Sequence, residues 1–196
     1  GAVLRVAPIK DVKTMIQAFA FAKEKVPNLK LWIMGPTDED KKYAQECFDL
    51  VDSLGVSDIE FTGRVNVKEY LGRMDFTILT SISEGQPLTI LESYAAHKPT
   101  IATDVGNCRE LIYGNDDGFG AAGILTHIMN LEEIAQAMID LAIDPEGRKQ
   151  MGEAGYKRVT SFYRIEQMKE TYKEIYRRFA EEQQAGWTEE PFQLKR

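Results

Sequence analysis

Asp75-Phe76-Thr77-Ile78-Leu79, then Ser83-Glu84-Gly85-Gln86-Pro87-Leu88-Thr89-Ile90-Leu91-Glu92, then Thr100-Ile101-Ala102 set the architecture of this chain. The first run is apolar and β-rich and predicts a strand over 75–79. Leu88 to His97 reads as a helix, and Thr100–Ala102, which follows Pro99, as the next strand. Strand, loop, helix and strand at this spacing form a crossover unit with two parallel strands. The loop after the first strand then falls at the carboxyl edge of the sheet, where open α/β sheets bind ligands. Glu84 lies in that loop and Glu92 in the helix, with seven residues between them. Acids at both places suit a site that grips several hydroxyls of one ligand, such as a nucleotide sugar.

The same alternation extends outward in both directions. Ala2–Val6 predicts a strand, and Val12–Lys25 a helix with Met15, Ile16, Phe19, Ala22 and Val26 on its apolar side. Leu29–Met34 is a second strand, stopped by Gly35-Pro36. Asp38–Leu54 is a helix with Gly55 just past its end. Ile59–Phe61, closed by Thr62-Gly63, precedes a short helix over Val67–Met74. Gly123–Leu125 supplies the last of about six strands. Short apolar strands alternating with helices predict a parallel sheet covered on both faces, an α/β, Rossmann-like, doubly wound fold. After Thr126 only helices follow, over Leu131–Ile143, Pro145–Val159 and Tyr163 to about Glu182. One domain is expected over 1–182, with a tail over 183–196 that contains Trp187 and has no clear period.

Composition narrows the function. The 196 residues suffice for one core, and 43% hydrophobic with 28% charged residues is ordinary for a soluble globular protein. No apolar run reaches the ~20 residues of a membrane-spanning helix, and no signal-peptide pattern opens the chain. A net charge of -7 argues against nucleic acid as a partner. Two cysteines, Cys47 and Cys108, read as free thiols, which suits the cytoplasm. Two histidines, His97 and His127, without paired-ligand spacing, argue against a metal site.

Several residues could carry chemistry at the carboxyl edge. Arg5 and Lys10 flank the start of the first helix, where cations and backbone amides together suit a diphosphate. Taken alone, they read more readily as solvated surface cations. Gly35 and the run Gly63-Arg64-Val65-Asn66 follow strands on that edge, where glycine permits close approach or simply ends a strand. Gly85 suits an unusual backbone angle, and the amides of Gln86, Leu88 and Thr89 can meet anionic oxygens, while Pro87 suits a first helical turn. Asn107 reads as a helix cap. His97 reads as a partner of a helix C-terminus. Tyr163, Tyr172 and Tyr176 with Ile165, Met168 and Ile175 read as a packing stripe.

Four motifs in order carry a resemblance: Val3-Leu4-Arg5-Val6-Ala7-Pro8-Ile9-Lys10-Asp11, Phe61-Thr62-Gly63-Arg64-Val65, Ser83-Glu84-Gly85-Gln86-Pro87-Leu88 through Glu92, and Ala102-Thr103-Asp104-Val105-Gly106. From residue 1 to about residue 180 the chain resembles the C-terminal domain of family-four retaining glycosyltransferases. The wording is most similar to the exopolysaccharide branch that contains PelF. The resemblance implies the donor-binding half of a two-domain GT-B hexosyltransferase, with the N-terminal acceptor domain absent from this chain. It implies a nucleotide diphosphate sugar as donor, of the UDP-glucose kind, a glycan or lipid acceptor, and no metal or other cofactor. It assigns the catalytic roles to Arg5, Lys10 and Glu84, with Arg5 and Lys10 on the diphosphate and Glu84 on the transferred sugar. Glu92 is implied on the ribose, Val65 on the base, and Gly35 with Gly85, Gln86, Pro87, Leu88 and Thr89 around the donor. The chain departs from the family at Leu4, where Gly is common, and at Gln86-Pro87, where an aromatic-Gly pair is common. A fragment lacking its partner domain is also expected to be able to self-associate. The rival reading is a noncatalytic nucleotide-binding or interaction module.

Overall fold

The computed structural model describes residues 1–185, with side chains to residue 181; Trp187 and most of the expected tail lie outside the described residues. Six strands and eight helices follow in chain order among the described residues. They are β1 (Ala2–Val3), α1 (Val12–Lys25), β2 (Leu31–Met34), α2 (Lys41–Leu54), β3 (Ile59–Gly63), α3 (Val67–Leu71) and β4 (Thr77–Leu79). Then come α4 (Leu88–Ala95), β5 (Thr100–Thr103), α5 (Cys108–Tyr113), β6 (Gly123–Thr126), α6 (Leu131–Ile143), α7 (Pro145–Phe162) and α8 (Ile165–Ala185). A compact unit spans Gly1–Thr160, and a second begins at Ser161.

Every strand pairing is parallel, in the orders β1-β2-β3 and β4-β5-β6. Two backbone bonds join these halves: the Gly1 amine donates to the Phe76 carbonyl, and the Ile78 amide to the Gly1 carbonyl, each at 2.9 Å. The strand order across the whole sheet is therefore β3-β2-β1-β4-β5-β6, and the order reverses between β1 and β4. Alternation along the strands covers both faces. Ala2 and Ile33 point into the core shared with Met15, Ile16 and Phe19 of α1 and Ile134 and Met138 of α6. Their neighbours Val3, Trp32 and Met34 meet Leu71 and Met74 on the other face. The doubly wound fold expected from the sequence is the fold found.

The differences are local. β1 is two residues long rather than five, although the Leu4 amide still reaches Met34 O and the Val6 amide Pro36 O, each at 2.9 Å. A 3-10 turn over Pro8–Lys10 fills the loop before α1, and Asp11 closes it with φ 45°. α2 starts three residues later than expected because Asp40 caps it, its side chain accepting from the Tyr43 amide at 3.0 Å. The expected packing stripe on the last helix is not buried: Ile165, Met168, Tyr172 and Tyr176 are about half or more exposed.

Cys47 and Cys108 are both free and buried, and burial pushes each thiol up to about 11. Both are thus protonated at neutral pH. Alkylation of the folded chain by iodoacetamide is expected to be far slower than in denaturant, as mass spectrometry would read out. No described helix is long and apolar enough to cross a membrane.

Candidate functional site

The loops that leave β1, β4 and β5 are stitched together at the carboxyl edge. Thr80, which directly follows β4, donates from Oγ1 to the carbonyls of Lys10 at 2.9 Å and Asp11 at 3.1 Å. The Ile82 amide reaches the Ile9 carbonyl at 2.9 Å. From the β5 side, Thr103 Oγ1 donates to the Ser81 carbonyl at 2.6 Å, and the Asn107 amide to the Gly85 carbonyl at 2.8 Å. Thr80, Ser81 and Thr103 are all buried, so these bonds are shielded from competing water.

The stitching places Lys10 and Glu84 together. Lys10 Nζ contacts Glu84 Oε1, and Ser81 Oγ donates to the same oxygen at 2.6 Å. The two charged side chains are only 19% and 12% exposed, so their field is screened less than that of a surface pair. They meet between β1 and β4, the switch point where doubly wound sheets open a ligand crevice. A cation and an acid held side by side in such a place can engage an anion and a hydroxyl of one ligand.

Glycine 106 makes this geometry possible. It has φ +52°, and a Cβ there would stand 2.1 Å from the Glu84 carbonyl oxygen. Gly85, expected to supply the unusual backbone angle, does not have a left-handed φ, and a Cβ on it meets nothing within 4 Å. The expectation is corrected: the special backbone belongs to the neighbouring loop, because there Gly106 presses against the backbone of Glu84 and Gly85. Gly35 has φ +144° and packs against β1, where a Cβ would lie 1.8 Å from the Leu4 carbonyl oxygen. Its glycine is therefore required by the sheet itself.

The remaining candidates surround this centre. Arg5 is exposed and its Nη1 lies 3.5 Å from Glu39 Oε2, while the other oxygen of Glu39 is 3.5 Å from Arg64 Nη2. Such exposed pairs hold their partners weakly, so both arginines stay available to a stronger anion. Val65 is half-buried against Met34, Leu71 and Met74, two residues past the end of β3. Pro87 occupies the cap position of α4 and is buried, whereas Gln86 and Leu88 are exposed and Thr89 half-buried. The first amides of α4 lack intrahelical partners by construction and carry its positive end. Glu92 is exposed one turn into α4.

Two further expectations concern residues outside the Lys10–Glu84 pair. Asn107 holds the cap position of α5 but makes no side-chain cap bond; its backbone amide instead ties the loop to Gly85. His97 sits beyond the far end of α4, stacked on Tyr156 at 3.9 Å and with Nδ1 2.9 Å from Glu153. A cavity of about 430 Å³, lined by Gly1, Trp32, Arg73, Phe76 and Arg148, opens at the opposite, amino end of the strands. Ser81, Thr80, Thr103 and Gly106 were not singled out as site residues by sequence reading. The small hydroxyl pair Thr80-Ser81 directly after an apolar strand is the only signal the sequence offered. No group of three or more His, Cys, Asp or Glu among the described residues could hold a metal ion.

Comparison with known proteins follows the same outline. A family model described as Glycosyl transferases group 1 matches residues 2–158. N-acetyl-alpha-D-glucosaminyl L-malate synthase of Bacillus anthracis is 32% identical over 170 residues, which cover 86% of this chain and 42% of that protein. The chain spans less than half the length of the curated relatives it matches first. Anabaena HepE, solved in complex with UDP-glucose, superimposes with a TM-score of 0.80 at 19% identity, over 89% of this chain and 48% of that one. The solved C-terminal domain of the group 1 glycosyl transferase LpcC from Francisella tularensis gives 0.72 at 26% identity, over 84% of this chain and 85% of that one.

Proposed function

The chain belongs to the glycosyl transferases group 1 family, and on that premise we propose that it is the donor-binding half of a two-domain GT-B hexosyltransferase. The reaction is a retaining transfer from a UDP-sugar to a glycan or lipid acceptor, within the PelF-like exopolysaccharide branch. The acceptor is held by a separate Rossmann-like half of the whole enzyme, and transfer occurs between the halves. The observation that carries this reading is the Lys10–Glu84 pair at the switch point, with Ser81 behind it. A match along 85% of an isolated C-terminal domain supports the assignment to the donor half.

In this reading Lys10 and Arg5 hold the diphosphate and stabilise the charge that grows on it as the sugar departs, the role of a preorganised electrostatic site. The positive end of α4, from Gln86 to Thr89, assists them. Glu84 accepts from hydroxyls of the transferred sugar, Glu92 from the ribose, and Val65 meets the base through its backbone. Gly85 leaves room for the donor's approach, and Gly35 lines it through its backbone. Cations and helix dipoles supply the leaving-group stabilisation without a metal or other cofactor.

Isothermal titration with UDP and UDP-glucose tests the proposal. Both ligands are expected to bind, with Glu92→Ala weakening UDP more than Glu84→Ala does, by about tenfold for a lost charged hydrogen-bond acceptor. Glu84→Ala is expected to act chiefly on the increment contributed by the sugar. Protein that is folded by circular dichroism yet gives no heat with millimolar UDP refutes the reading. A reversed order of the two variants refutes the division of roles between them.

A further inference from the structure

Glu84 has two carboxylate oxygens, and among the described residues its side-chain partners all go to one of them. Lys10 Nζ and Ser81 Oγ both meet Oε1. We propose that Ser81 is a positioning residue: it fixes the Glu84 carboxylate so that Oε2 faces the sugar of a nucleotide-sugar donor. The proposal rests on the reading of Glu84 as a sugar acceptor given above.

Ser81 is built to hold a fixed position. It is fully buried, two residues past β4, and its own carbonyl is held by Thr103 Oγ1 at 2.6 Å. On one side Thr80 is pinned by its hydroxyl to two carbonyls of the β1–α1 loop. On the other, the Ile82 amide is bonded to Ile9. The hydroxyl therefore comes from a backbone that is tied at three successive residues, to the β1–α1 loop and to the end of β5. A short bond of 2.6 Å from a hydroxyl to a carboxylate is of the charge-assisted kind, the stronger class.

Lys10 cannot perform this duty alone. Its ammonium is a mobile point charge on a flexible stem, and a bound diphosphate competes for it. As Lys10 turns toward the phosphates, Ser81 remains as the donor on Oε1. The hydroxyl carries no charge of its own and is enclosed by protein, so the nucleotide does not draw it away. Ser81 thus keeps the acid aimed while Lys10 is shared, an example of a supporting residue preorganising a binding group.

The consequence is a separation of effects. Removing the hydroxyl leaves the nucleotide contacts in place but releases the carboxylate, so only ligands bearing the sugar are penalised. Titration calorimetry with UDP, UDP-glucose, UDP-galactose and UDP-N-acetylglucosamine on wild type, Ser81→Ala, Glu84→Ala and the double variant reads this out. The tightest sugar nucleotide for wild type serves for the comparison. Ser81→Ala is expected to lower the preference for that ligand over UDP by about tenfold, with UDP itself changed less than twofold. In the Glu84→Ala background the same substitution is expected to change the preference by less than twofold, because its effect passes through the carboxylate.

A purely structural serine would weaken UDP and the sugar nucleotide alike and would do so in both backgrounds; that result overturns the inference while leaving donor binding intact. An unchanged preference in Ser81→Ala also overturns it, as does a wild type that binds UDP without any gain from a sugar. Failure of the wild type to bind UDP overturns the proposed function instead. If Ser81→Ala does not fold, Ser81→Cys, nearly the same shape with a much weaker donor, takes its place in the same cycle.

Discussion

Arg158→Ala is expected to lower the stability of the chain by about 3–5 kcal/mol, the cost of breaking a buried ion pair from one side. Arg158 is 1% exposed, among the most enclosed side chains of the Gly1–Thr160 unit. Its guanidinium grips Asp117 at both oxygens, at 2.6 and 3.0 Å, and also donates to the carbonyls of Leu111, Ile112 and Gly120. One side chain of α7 thereby satisfies the end of α5 and the loop that leads to β6. Its removal leaves the Asp117 carboxylate with the Phe119 amide as its remaining donor and takes a donor from three carbonyls, of which that of Ile112 keeps the Ala122 amide. Urea unfolding followed by circular dichroism measures the loss; a change below about 1 kcal/mol would mean that water replaces the guanidinium readily. By contrast, breaking the exposed Lys173–Glu170 pair should cost no more than about 0.5 kcal/mol.

The same pair predicts a direction with pH. The Arg158 hydrogen bond to Asp117 holds that carboxyl below the usual value of 3.8. The folded state therefore binds the proton less readily than the unfolded state does. The stabilisation is fully present above the unfolded value and is lost as pH falls through the folded one. Acid unfolding below about pH 4 should accordingly be shallower in Asp117→Asn than in wild type.

Gly106→Ala is the second change with a large expected effect, and it acts on the site as well as on stability. A left-handed φ of +52° penalises any side chain, and the new Cβ would press on the Glu84 and Gly85 carbonyl oxygens, at 2.1 and 2.6 Å. Backbone strain and overpacking together amount to about 2–4 kcal/mol. Relief comes by pushing residues 84–85 away, which shifts the Glu84 carboxylate from Lys10 and Ser81. The preference for a UDP-sugar over UDP should fall more than about tenfold. Gly85→Ala provides the contrast, since its Cβ has open space and its backbone is not left-handed. That variant should melt within about 1 kcal/mol of wild type. Equal thermal stability of Gly106→Ala and wild type would show that the two loops separate without cost.

The sequence could be read most accurately where a pattern repeats. α1 over Val12–Lys25 and α6 over Leu131–Ile143 have the expected bounds because their apolar residues recur with helical period. The strand-then-helix order likewise revealed the sheet. Reading failed where a residue's state depends on distant chain. Which of Gly85 and Gly106 needs the left-handed backbone is decided by contact between loops some twenty residues apart. Asp11, at φ 45°, holds a left-handed conformation that aspartate tolerates better than most side chains but that its neighbours in sequence do not dictate. Arg158 is one of several charged residues along α7, and only the approach of Asp117 marks it as buried. Ser81 is one of several hydroxyls in its loop, and its bond to the Glu84 carboxylate singles it out. On α8 the helical period was correct, but a period alone does not supply the surface that would cover Tyr172 and Tyr176.

The joint between the two half-sheets also sets a timetable. Gly1 and its partner Phe76 are 75 positions apart, yet β1 is the middle strand of the finished sheet. At about 5–20 residues per second of synthesis, roughly 4–15 s separate the first strand from the one that completes it. Once β3 has been made, and until β4 arrives, β1–β2–β3 carries on β1 an uncovered edge of the kind that pairs with foreign strands. The arrival of β4 closes that edge, so the birth of this molecule has its most hazardous moment before Asp75 has been made.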